Sequence, residues 1–481
     1  MLEEVLVLSV PYAAAIVAAL ILPGLGLLQY RWAGRWPDDL RVACLLVLLS
    51  AGALLSVAFV PRVLNERLFK PEFVYASDAA AGFLASRIFS ALIVGAALVE
   101  LVRGWREAAR SGWRDPAAMM VWAILGFFFG TLLVQAVASE HPGFSFRSLY
   151  VPVVVLAVCL LQVQRVDRIL VAAKWCLLTC TLGSLLMVLV RPDFALATPY
   201  NEGFLPGIKF RLVGLATHAN ALGPVAVLAL LLELHTPSER RVVRWLHLST
   251  AVTVLLLAQS KTAWVAAMLI PLVTWVPLNV LPAQQPRLER RSFSRATLIL
   301  TAGLLLLASL AVLLAQIDLV DFFRRNGSLL TLTGRLGIWD MTLEEWRKNI
   351  FFGYGPELWG PAYRRQLNMM HAGHAHNQFI QTLGDSGLFG LAALVAFLGA
   401  LLLAAWRSFR ASRGLVMGLF VLFLVRCMTE ASMRTESLLS WTNFTNILTL
   451  ALACQYLRHG SRATLSATSE RSPGWQLSAG T

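Results

Sequence analysis

Long apolar runs that alternate with short arginine-rich segments constrain this chain more than any other feature. The 481 residues are 57% hydrophobic and only 14% charged, which leaves too little polar surface to cover a soluble globule of this size. Inside a bilayer the backbone must satisfy its own hydrogen bonds, and a hydrocarbon core about 30 Å thick requires roughly 20 residues of helix. The sequence therefore predicts an all-α integral membrane protein.

The apolar runs predict 12–13 transmembrane helices. They lie near 5–28, 41–60, 82–102, 118–138, 148–164, 169–190, 212–234, 245–258, 262–281, 296–316, 387–405, 414–430 and 439–457. The pair at 245–258 and 262–281 is the least regular, because the first run is short and only Gln259-Ser260-Lys261 separates the two. A count of thirteen keeps the loop charges alternating along the whole chain.

The loop arginines predict the orientation of these helices. Cytoplasmic loops of membrane proteins are rich in Lys and Arg, and every second loop here is basic. The basic segments are 31–41, 103–114, 165–168, 240–244, 287–295, 407–413 and 458–471. The net charge of +14 reflects this topology and gives no support for a nucleic-acid partner. We expect the N-terminus outside and the C-terminus in the cytoplasm.

The longest loop between predicted spans runs over 317–386, and the alternation of charge places it on the outer, periplasmic side. A loop of this length commonly carries function. The segment from Leu336 to Asn349 has apolar residues at helical spacing and predicts an amphipathic helix. The alternative is an interfacial helix with an aromatic belt, formed by Trp339, Trp346, Trp359 and Tyr363.

Three of the eight histidines lie at the end of this loop, in His371-Ala-Gly-His374-Ala-His376-Asn377. An apolar helix is predicted to begin directly afterwards, near Gln378. One interpretation is a metal site, but with no cysteine nearby and only Asp385 as a local carboxylate, the ligand set is thin for zinc. Another is that these loop histidines have no functional role. We predict no metal here.

Three basic residues interrupt apolar sequence at positions predicted to reach the outer face. Arg211 opens the seventh span, Lys261 lies between the eighth and ninth, and Arg434 lies in the last outer loop. Such charges are costly and commonly line a site, although Lys and Arg also snorkel to the interface. Cations beside a histidine base suit a substrate with an anionic head and an apolar tail, such as a polyprenyl diphosphate sugar.

Four motifs in this order resemble the O-antigen ligase and polymerase family. They are Arg211-Leu-Val-Gly214-Leu-Ala-Thr-His-Ala-Asn220, Ser260-Lys261-Thr262-Ala263, Gly334-Arg335-Leu-Gly-Ile-Trp339, and His374-Ala-His376-Asn377 followed by Gly384-Asp385-Ser386-Gly387. The resemblance spans about 190 to 405. It implies a GT-C-like glycosyltransferase of the bacterial inner membrane whose active site faces the periplasm. The implied donor is an undecaprenyl diphosphate-linked oligosaccharide, and no metal or other cofactor is implied.

The resemblance also implies roles for individual residues. His376 matches the catalytic base. Basic residues expected to bind the diphosphate or to anchor the loop are Arg211, Lys261 and Arg335, to which Arg434 is added from its place in the last outer loop. Supporting positions are His374, Asn377, Asn220 and Ser260. Lys261 departs from the family pattern, because many relatives have Arg there and lysine replaces a bidentate fork with a point charge.

Three functional interpretations follow from these motifs. The favoured one is polymerisation of exopolysaccharide or O-antigen repeats, because Ser-Lys-Thr-Ala, Thr-Gly-Arg and Asn-Ala-Leu-Gly look more like exopolysaccharide polymerases. The alternative is a ligase that attaches the glycan to lipid A core or to a protein. The third is a transporter of lipid-linked glycan, but the sequence has no internal duplication of the kind common in transporters. A single displacement at the anomeric carbon would invert its configuration.

The chain divides into three predicted regions. Residues 1–190 form N-terminal transmembrane helices, and residues 191–457 form the ligase/polymerase-like domain that includes the loop at 317–386. Residues 458–481 are rich in Ser, Thr and Ala and are predicted to be a disordered cytoplasmic tail.

Overall fold

The computed structural model of the chain describes residues 36–58, 78–200, 205, 207–280, 335–367, 369, 372–435 and 437–469. The helices are α1 (Asp38–Ala58), α2 (Asp78–Arg110), α3 (Ala118–Phe128), α4 (Val134–Val137), α5 (Tyr150–Leu160), α6 (Val166–Val190), α7 (Pro192–Ala195), α8 (Ala219–His235), α9 (Arg241–Leu257), α10 (Lys261–Val280), α11 (Arg335–Lys348), α12 (Pro361–Gln366), α13 (Gln378–Arg407), α14 (Leu415–Thr429) and α15 (Trp441–Ser469). A π-helical turn, Phe129–Leu133, joins α3 to α4, and a 3-10 turn, Phe146–Leu149, precedes α5. The two strands are β1 (Leu196–Ala197) and β2 (Arg211–Leu212).

The predicted all-α membrane fold is confirmed. The predicted spans at 5–28 and 296–316 lie outside the described residues, and every other predicted span overlaps a helix. Five helices in the described part are long and apolar enough to cross a membrane: Asp38–Val57, Ser86–Arg110, Ala118–Val137, Val166–Val190 and Gln378–Arg407. Shorter apolar helices are Phe146–Leu160, Ala219–His235, Lys261–Thr274 and Leu415–Thr429.

Helix α8 lies at the centre of the bundle. Its residues from Leu222 to Glu233 are all buried, as expected for a helix that is apolar on every side. It packs against α6, α9, α10, α14 and α15. Gly223 permits the close approach of α10, because a Cβ there would overlap Ser260 and Ala263. The start of α8 is therefore held rigidly by its neighbours.

Ion pairs gather several of the basic loops at one end of the bundle. Asp38 accepts hydrogen bonds from Gln162 N at 2.9 Å and from Arg103 Nη2 at 3.4 Å. Arg458 Nη2 donates to the carboxylate of Asp115 at 2.6 Å. The charge pattern had assigned the loops around these residues to one face, and the structure brings them together.

The prediction of a disordered tail from residue 458 is wrong for its first part. Helix α15 continues to Ser469, and Arg458 is only 3% exposed. Besides Asp115, its guanidinium donates to Leu161 O at 2.9 Å and Cys159 O at 2.7 Å. Arg458 is buried because it donates to these acceptors. The polar composition of the segment was therefore a poor guide to its exposure. Residues 470–481 lie outside the described residues.

The position of Arg211 also differs from the prediction that it opens a transmembrane helix. Arg211 lies in β2, opposite Ala197 of β1, and α8 begins only at Ala219. The reason is local: Gly214 has a positive φ of 54° and packs so closely on Ser184 that a Cβ would overlap it. The apolar residues after Arg211 therefore form a turn that leads into the helix.

A sharp bend at Gly387 divides α13 and receives the described residues 335–367, 369 and 372–377, which are called the outer segment below after the side predicted for them. Gly387 has φ 62° and ψ −157°, and a side chain there would overlap the backbone of Phe351. Backbone hydrogen bonds join the segment to both sides of the bend: Tyr354 N donates to Gly384 O at 2.7 Å, and Leu388 N donates to Ile350 O at 3.0 Å. The Gly384-Asp385-Ser386-Gly387 motif thus forms a docking point for the segment.

The outer segment has a small hydrophobic core of its own, separate from the bundle. Its buried members are Ile338, Leu358, Trp359, Tyr363, Ala372 and Ala375. Trp359 Nε1 donates to Thr342 Oγ1 at 3.1 Å, and the Tyr363 hydroxyl lies 3.1 Å from Glu345 Oε1. Helix α11 confirms the predicted amphipathic helix. The aromatic-belt alternative is wrong for Trp359 and Tyr363, which are buried inside protein.

We expect Gly387→Ala to destabilise the protein, because the new Cβ needs a disfavoured φ and also displaces Phe351. Strained positions of this kind cost about 1–3 kcal/mol before any clash is counted. Thermal unfolding in detergent measures the effect. Gly399→Ala is the matched control in the same helix, since nothing lies within 4 Å of its Cβ position. Equal unfolding temperatures for the two variants would contradict this account of the bend.

Candidate functional site

The carboxylate of Glu430, directly after α14, joins several distant parts of the chain. Glu430 Oε1 accepts from Asn220 Nδ2 at 2.7 Å and from Arg335 Nη2 at 3.4 Å. Glu430 Oε2 lies 2.9 Å from His376 Nδ1 and 3.7 Å from His374 Nε2. Its side chain is only 16% exposed. A carboxylate buried to this extent is stable as an anion because it is paired on both oxygens.

The backbone of His376 adopts a left-handed conformation with φ 48°. A non-glycine residue pays for this conformation, so other contacts must hold it there. His376 N donates to His374 Nδ1 at 3.0 Å, and His376 O accepts from Arg335 at 3.4 Å. Because Nδ1 faces the carboxylate of Glu430, the ring proton belongs on Nδ1. The lone pair of Nε2 is then available to accept a proton.

Burial and neighbouring charges have opposing effects on the pKa of Glu430, and both also act on the pKa of His374. Burial alone would raise the pKa of Glu430. The hydrogen bond and charge of His376, with the charges of His374 and Arg335, instead lower that pKa to about 2. Burial and the charge of His376 lower the pKa of His374 to about 3, against the opposing effect of Glu430. The site therefore contains a carboxylate and a neutral His374 near neutral pH.

Arg335, the first residue of α11, connects the outer segment to α14. Its Nη1 donates to Thr429 O at 2.7 Å, in addition to its contacts with Glu430 and His376 O. Trp339, one helical turn further on, donates from Nε1 to Ala375 O at 2.7 Å. These bonds fit the loop-anchoring role predicted for Arg335. They also fix the backbone at Ala375 and His376 through the carbonyl oxygens of these two residues.

Arg211 and Asn220 form the second support of Glu430. Arg211 Nη2 donates to Asn220 Oδ1 at 2.6 Å, and Arg211 Nε donates to Ala258 O at 3.1 Å. The guanidinium also lies over the ring of Tyr200, 5.0 Å from its centroid. A continuous set of hydrogen bonds therefore runs from Arg211 through Asn220 and Glu430 to His376.

Asn377 is the N-cap of α13 and fixes the direction of the chain after His376. Its Oδ1 accepts from Phe379 N at 2.9 Å and Ile380 N at 3.1 Å, as an N-cap does, while its Nδ2 donates to Met428 O at 3.1 Å. Arg434 Nη1 donates to Gly373 O at 3.0 Å on the other side of the histidines. The Asn377 side chain therefore contacts backbone groups, as a residue that supports the loop would.

The Ser260-Lys261-Thr262 turn reaches the same region through α14. Thr262 Oγ1 donates to Thr429 Oγ1 at 2.8 Å, next to the carbonyl that binds Arg335. Ser260 is fully buried, and its Oγ accepts from Ala263 N at 3.4 Å. Lys261 is the half-buried first residue of α10. His371 lies outside the described residues.

Glu430 is the residue that the sequence prediction missed. It stands 54 residues from His376 along the chain, at the end of an apolar span. An acid in such a position could have been treated as a site candidate, because ionisable residues at the edge of a span commonly pair in the protein interior. The expectation that only Asp385 offers a nearby carboxylate is also corrected. Asp385 accepts from Gln381 Nε2 at 2.9 Å.

His374, His376 and Glu430 together are the kind of group that could hold a metal ion. One ligand atom from each lies within 4.8 Å of the others. The donor set resembles the two histidines and one glutamate of some zinc sites. Two contacts oppose this use: His376 Nδ1 already binds Glu430, and the Arg335 guanidinium lies 3.4 Å from the same carboxylate. His376 and Glu430 therefore fit a proton-transfer pair better than ligands of a cation.

Residues 246–395 match the family model described as O-antigen ligase. This supports assignment to the O-antigen ligase and polymerase family. The match contains the Ser260-Lys261-Thr262 turn, Arg335, and His376 with Asn377, while the motif at 211–220 lies before it. The family resemblance predicted from the motifs is confirmed. A search among curated proteins finds no match.

We expect Glu430→Gln to lower stability at neutral pH and to matter less in acid. The pKa of Glu430 in the folded protein, about 2, lies below its ordinary 4.5, so ionised Glu430 contributes stability above about pH 4.5. That contribution is lost as the pH falls toward 2. Thermal unfolding of both proteins between about pH 7 and pH 3 measures the difference.

The exposed carboxylate of Glu344 on α11 provides the control. Glu344→Gln removes one negative charge, as Glu430→Gln does, but from an exposed side chain of another helix, so we expect a small effect that does not depend on pH. If the destabilisation by Glu430→Gln stayed constant down to about pH 3, ionic pairing of Glu430 would not be its cause.

Proposed function

We propose that this protein transfers a glycan from undecaprenyl diphosphate to an acceptor at the periplasmic face of the bacterial inner membrane. The observation that carries the proposal is the contact between His376 Nδ1 and Glu430 Oε2 at 2.9 Å. It leaves Nε2 of a rigidly held histidine available as a base, beside Arg211, Arg335 and Arg434. The match to the O-antigen ligase family supports this type of reaction.

The proposed reaction is a single displacement. Nε2 of His376 accepts the proton of the acceptor hydroxyl as its oxygen attacks the anomeric carbon. The bond from that carbon to the diphosphate breaks, and its electron pair leaves with the phosphate oxygen. The resulting imidazolium is stabilised by Glu430, and nearby cations stabilise the departing diphosphate. The basic residues Arg211, Lys261, Arg335 and Arg434 are the candidates for this last task.

Glu430 is badly placed to act as a nucleophile in this reaction. Both of its oxygens are engaged, one by Asn220 and Arg335 and the other by His376. A retaining mechanism requires a carboxylate that attacks the sugar directly. The proposed outcome is therefore inversion at the anomeric carbon.

Exposed apolar side chains on and next to α13, the helix that follows His376, support a lipid-linked donor. Phe351 is 59% exposed and Phe389 is 55% exposed, at the bend where the outer segment meets α13. Phe352 stacks on Phe389 with ring centroids 5.3 Å apart. An exposed aromatic surface of this kind suits lipid or a polyprenyl chain, while the polar groups at Glu430 suit the diphosphate.

Polymerisation of repeat units is the form of the reaction that the motifs favour. Purified protein would be incubated with an undecaprenyl diphosphate oligosaccharide as the only sugar substrate, and product lengths would be read by gel. A ladder of longer lipid-linked glycans supports a polymerase. Product that forms only after lipid A core or a protein is added supports a ligase instead.

We expect His376→Ala to lower the rate of transfer about 100- to 10,000-fold, the range typical for loss of a positioned general base. The protein should still insert, because the His376 ring contributes one of several contacts to Glu430. Transfer in the assay above and yield after detergent extraction measure the two effects. His371→Ala is the matched control, for which we expect a mild effect. Full activity of His376→Ala would contradict the assignment of His376 as the general base.

We expect transfer to continue after treatment with EDTA, because a base and fixed cations supply the proposed chemistry. The His374, His376 and Glu430 group makes this a direct test. Product yield would be compared before chelation, after chelation, and after addition of Zn²⁺ or Mg²⁺. Loss of transfer with EDTA and recovery with one ion would assign those three side chains to a metal.

A further inference from the structure

His218 lies between β2 and α8, immediately before the helix that supports Asn220. Its backbone is extended, with φ −154° and ψ 155°, and its Nδ1 accepts a hydrogen bond from Asn220 N at 3.1 Å. It is thus the N-cap of α8. Ser, Thr, Asp and Asn are the usual caps, because a short side chain is sufficient. An imidazole at this position carries a second nitrogen that capping does not use.

The capping bond fixes the tautomer of His218. Because Nδ1 accepts a hydrogen bond from Asn220 N–H, the ring's own proton lies on Nε2, and the imidazole is neutral in this arrangement. The side chain is exposed, and within the described residues no protein group is hydrogen-bonded to Nε2. His218 therefore presents a single N–H donor whose direction is set by the helix start.

This donor shares its electrostatic surroundings with the site at Glu430. The charges of Arg211, Glu430, His376 and Arg335 all act on the His218 ring. Although the side chain remains exposed, desolvation by the surrounding protein and the charge of Arg211 lower the pKa of His218 below its ordinary 6.5. A neutral donor can lie beside Arg211 without the repulsion that a second cation would meet.

We propose that His218 is a further substrate-binding residue, whose Nε2–H donates a hydrogen bond to a phosphoryl oxygen of the polyprenyl diphosphate donor. This inference rests on the proposed function. In the displacement, the acceptor proton goes to His376 and the electron pair of the broken bond goes to the diphosphate. His218 keeps its proton throughout, and its hydrogen bond strengthens as charge accumulates on the leaving group.

Two substitutions separate the capping nitrogen from the proposed donor. His218→Asn keeps a short side-chain oxygen that can cap α8, but its amide does not reach the position of Nε2. His218→Gln extends an N–H donor to about the reach of Nε2 and is a poor cap. We expect kcat to fall about 100-fold in His218→Asn, the size of effect found when one oxyanion donor is removed. His218→Gln should retain most of kcat and unfold at a lower temperature.

Protection by added undecaprenyl diphosphate supplies a readout that does not need turnover. The concentration that raises the unfolding temperature halfway should be about tenfold higher for His218→Asn than for wild type, and unchanged for His218→Gln. His459→Gln is the control, because His459 bonds Gln455 O and Gln164 O far along α15 from the site. We expect it to match wild type in both measurements.

Equal protection of wild type and His218→Asn by the lipid diphosphate would overturn the role of His218, whatever the rates. The same conclusion follows if His218→Asn transfers glycan normally, since capping alone would then explain the residue. Failure of the proposed function has a different signature: wild-type protein would neither transfer glycan nor be protected. In that case both the reaction and the role of His218 would be abandoned.

Discussion

The negative charge of Glu430 is the interaction on which the geometry of the site depends. A carboxylate removed from water is costly unless it is paired, and here its partners come from α8, α11 and the segment before α13. The position of each partner is therefore set both by its own helix and by the need to pair the buried carboxylate of Glu430. The unusual backbone of His376 persists because Glu430, Arg335 and His374 act on it together.

This arrangement gives the basic residues two kinds of task. Arg335 uses its guanidinium on Thr429 O, His376 O and Glu430, and Arg211 uses its guanidinium on Asn220 and Ala258 O. Arginine can serve several acceptors at once because its five N–H groups form a planar fork. The two arginines proposed to bind the diphosphate thus also position the groups around His376. Lys261, the first residue of α10, lacks this fork.

The sequence predicted the helices well because lipid allows a spanning backbone few other forms. The amphipathic α11 and the start of α13 at Gln378 also followed from local patterns, which are periodicity in one case and Asn377 before an apolar run in the other. Glu430 was missed because its pairing with His376 joins residues 54 positions apart, and no local pattern records that contact. The start of α8 was misplaced because Gly214 turns the chain inside an apolar stretch.

The bonds of Arg458 have a consequence for the order in which the protein can assemble. Its partner Asp115 is made 343 residues earlier, and Cys159 and Leu161 also precede it by most of the chain. Synthesis proceeds from the N-terminus, so these three acceptors are made before their donor exists. They must keep water or other temporary partners until α15 is inserted. Helix α15 thus completes the hydrogen bonding of residues synthesised long before it, and these acceptors lack that donor until α15 has packed against them.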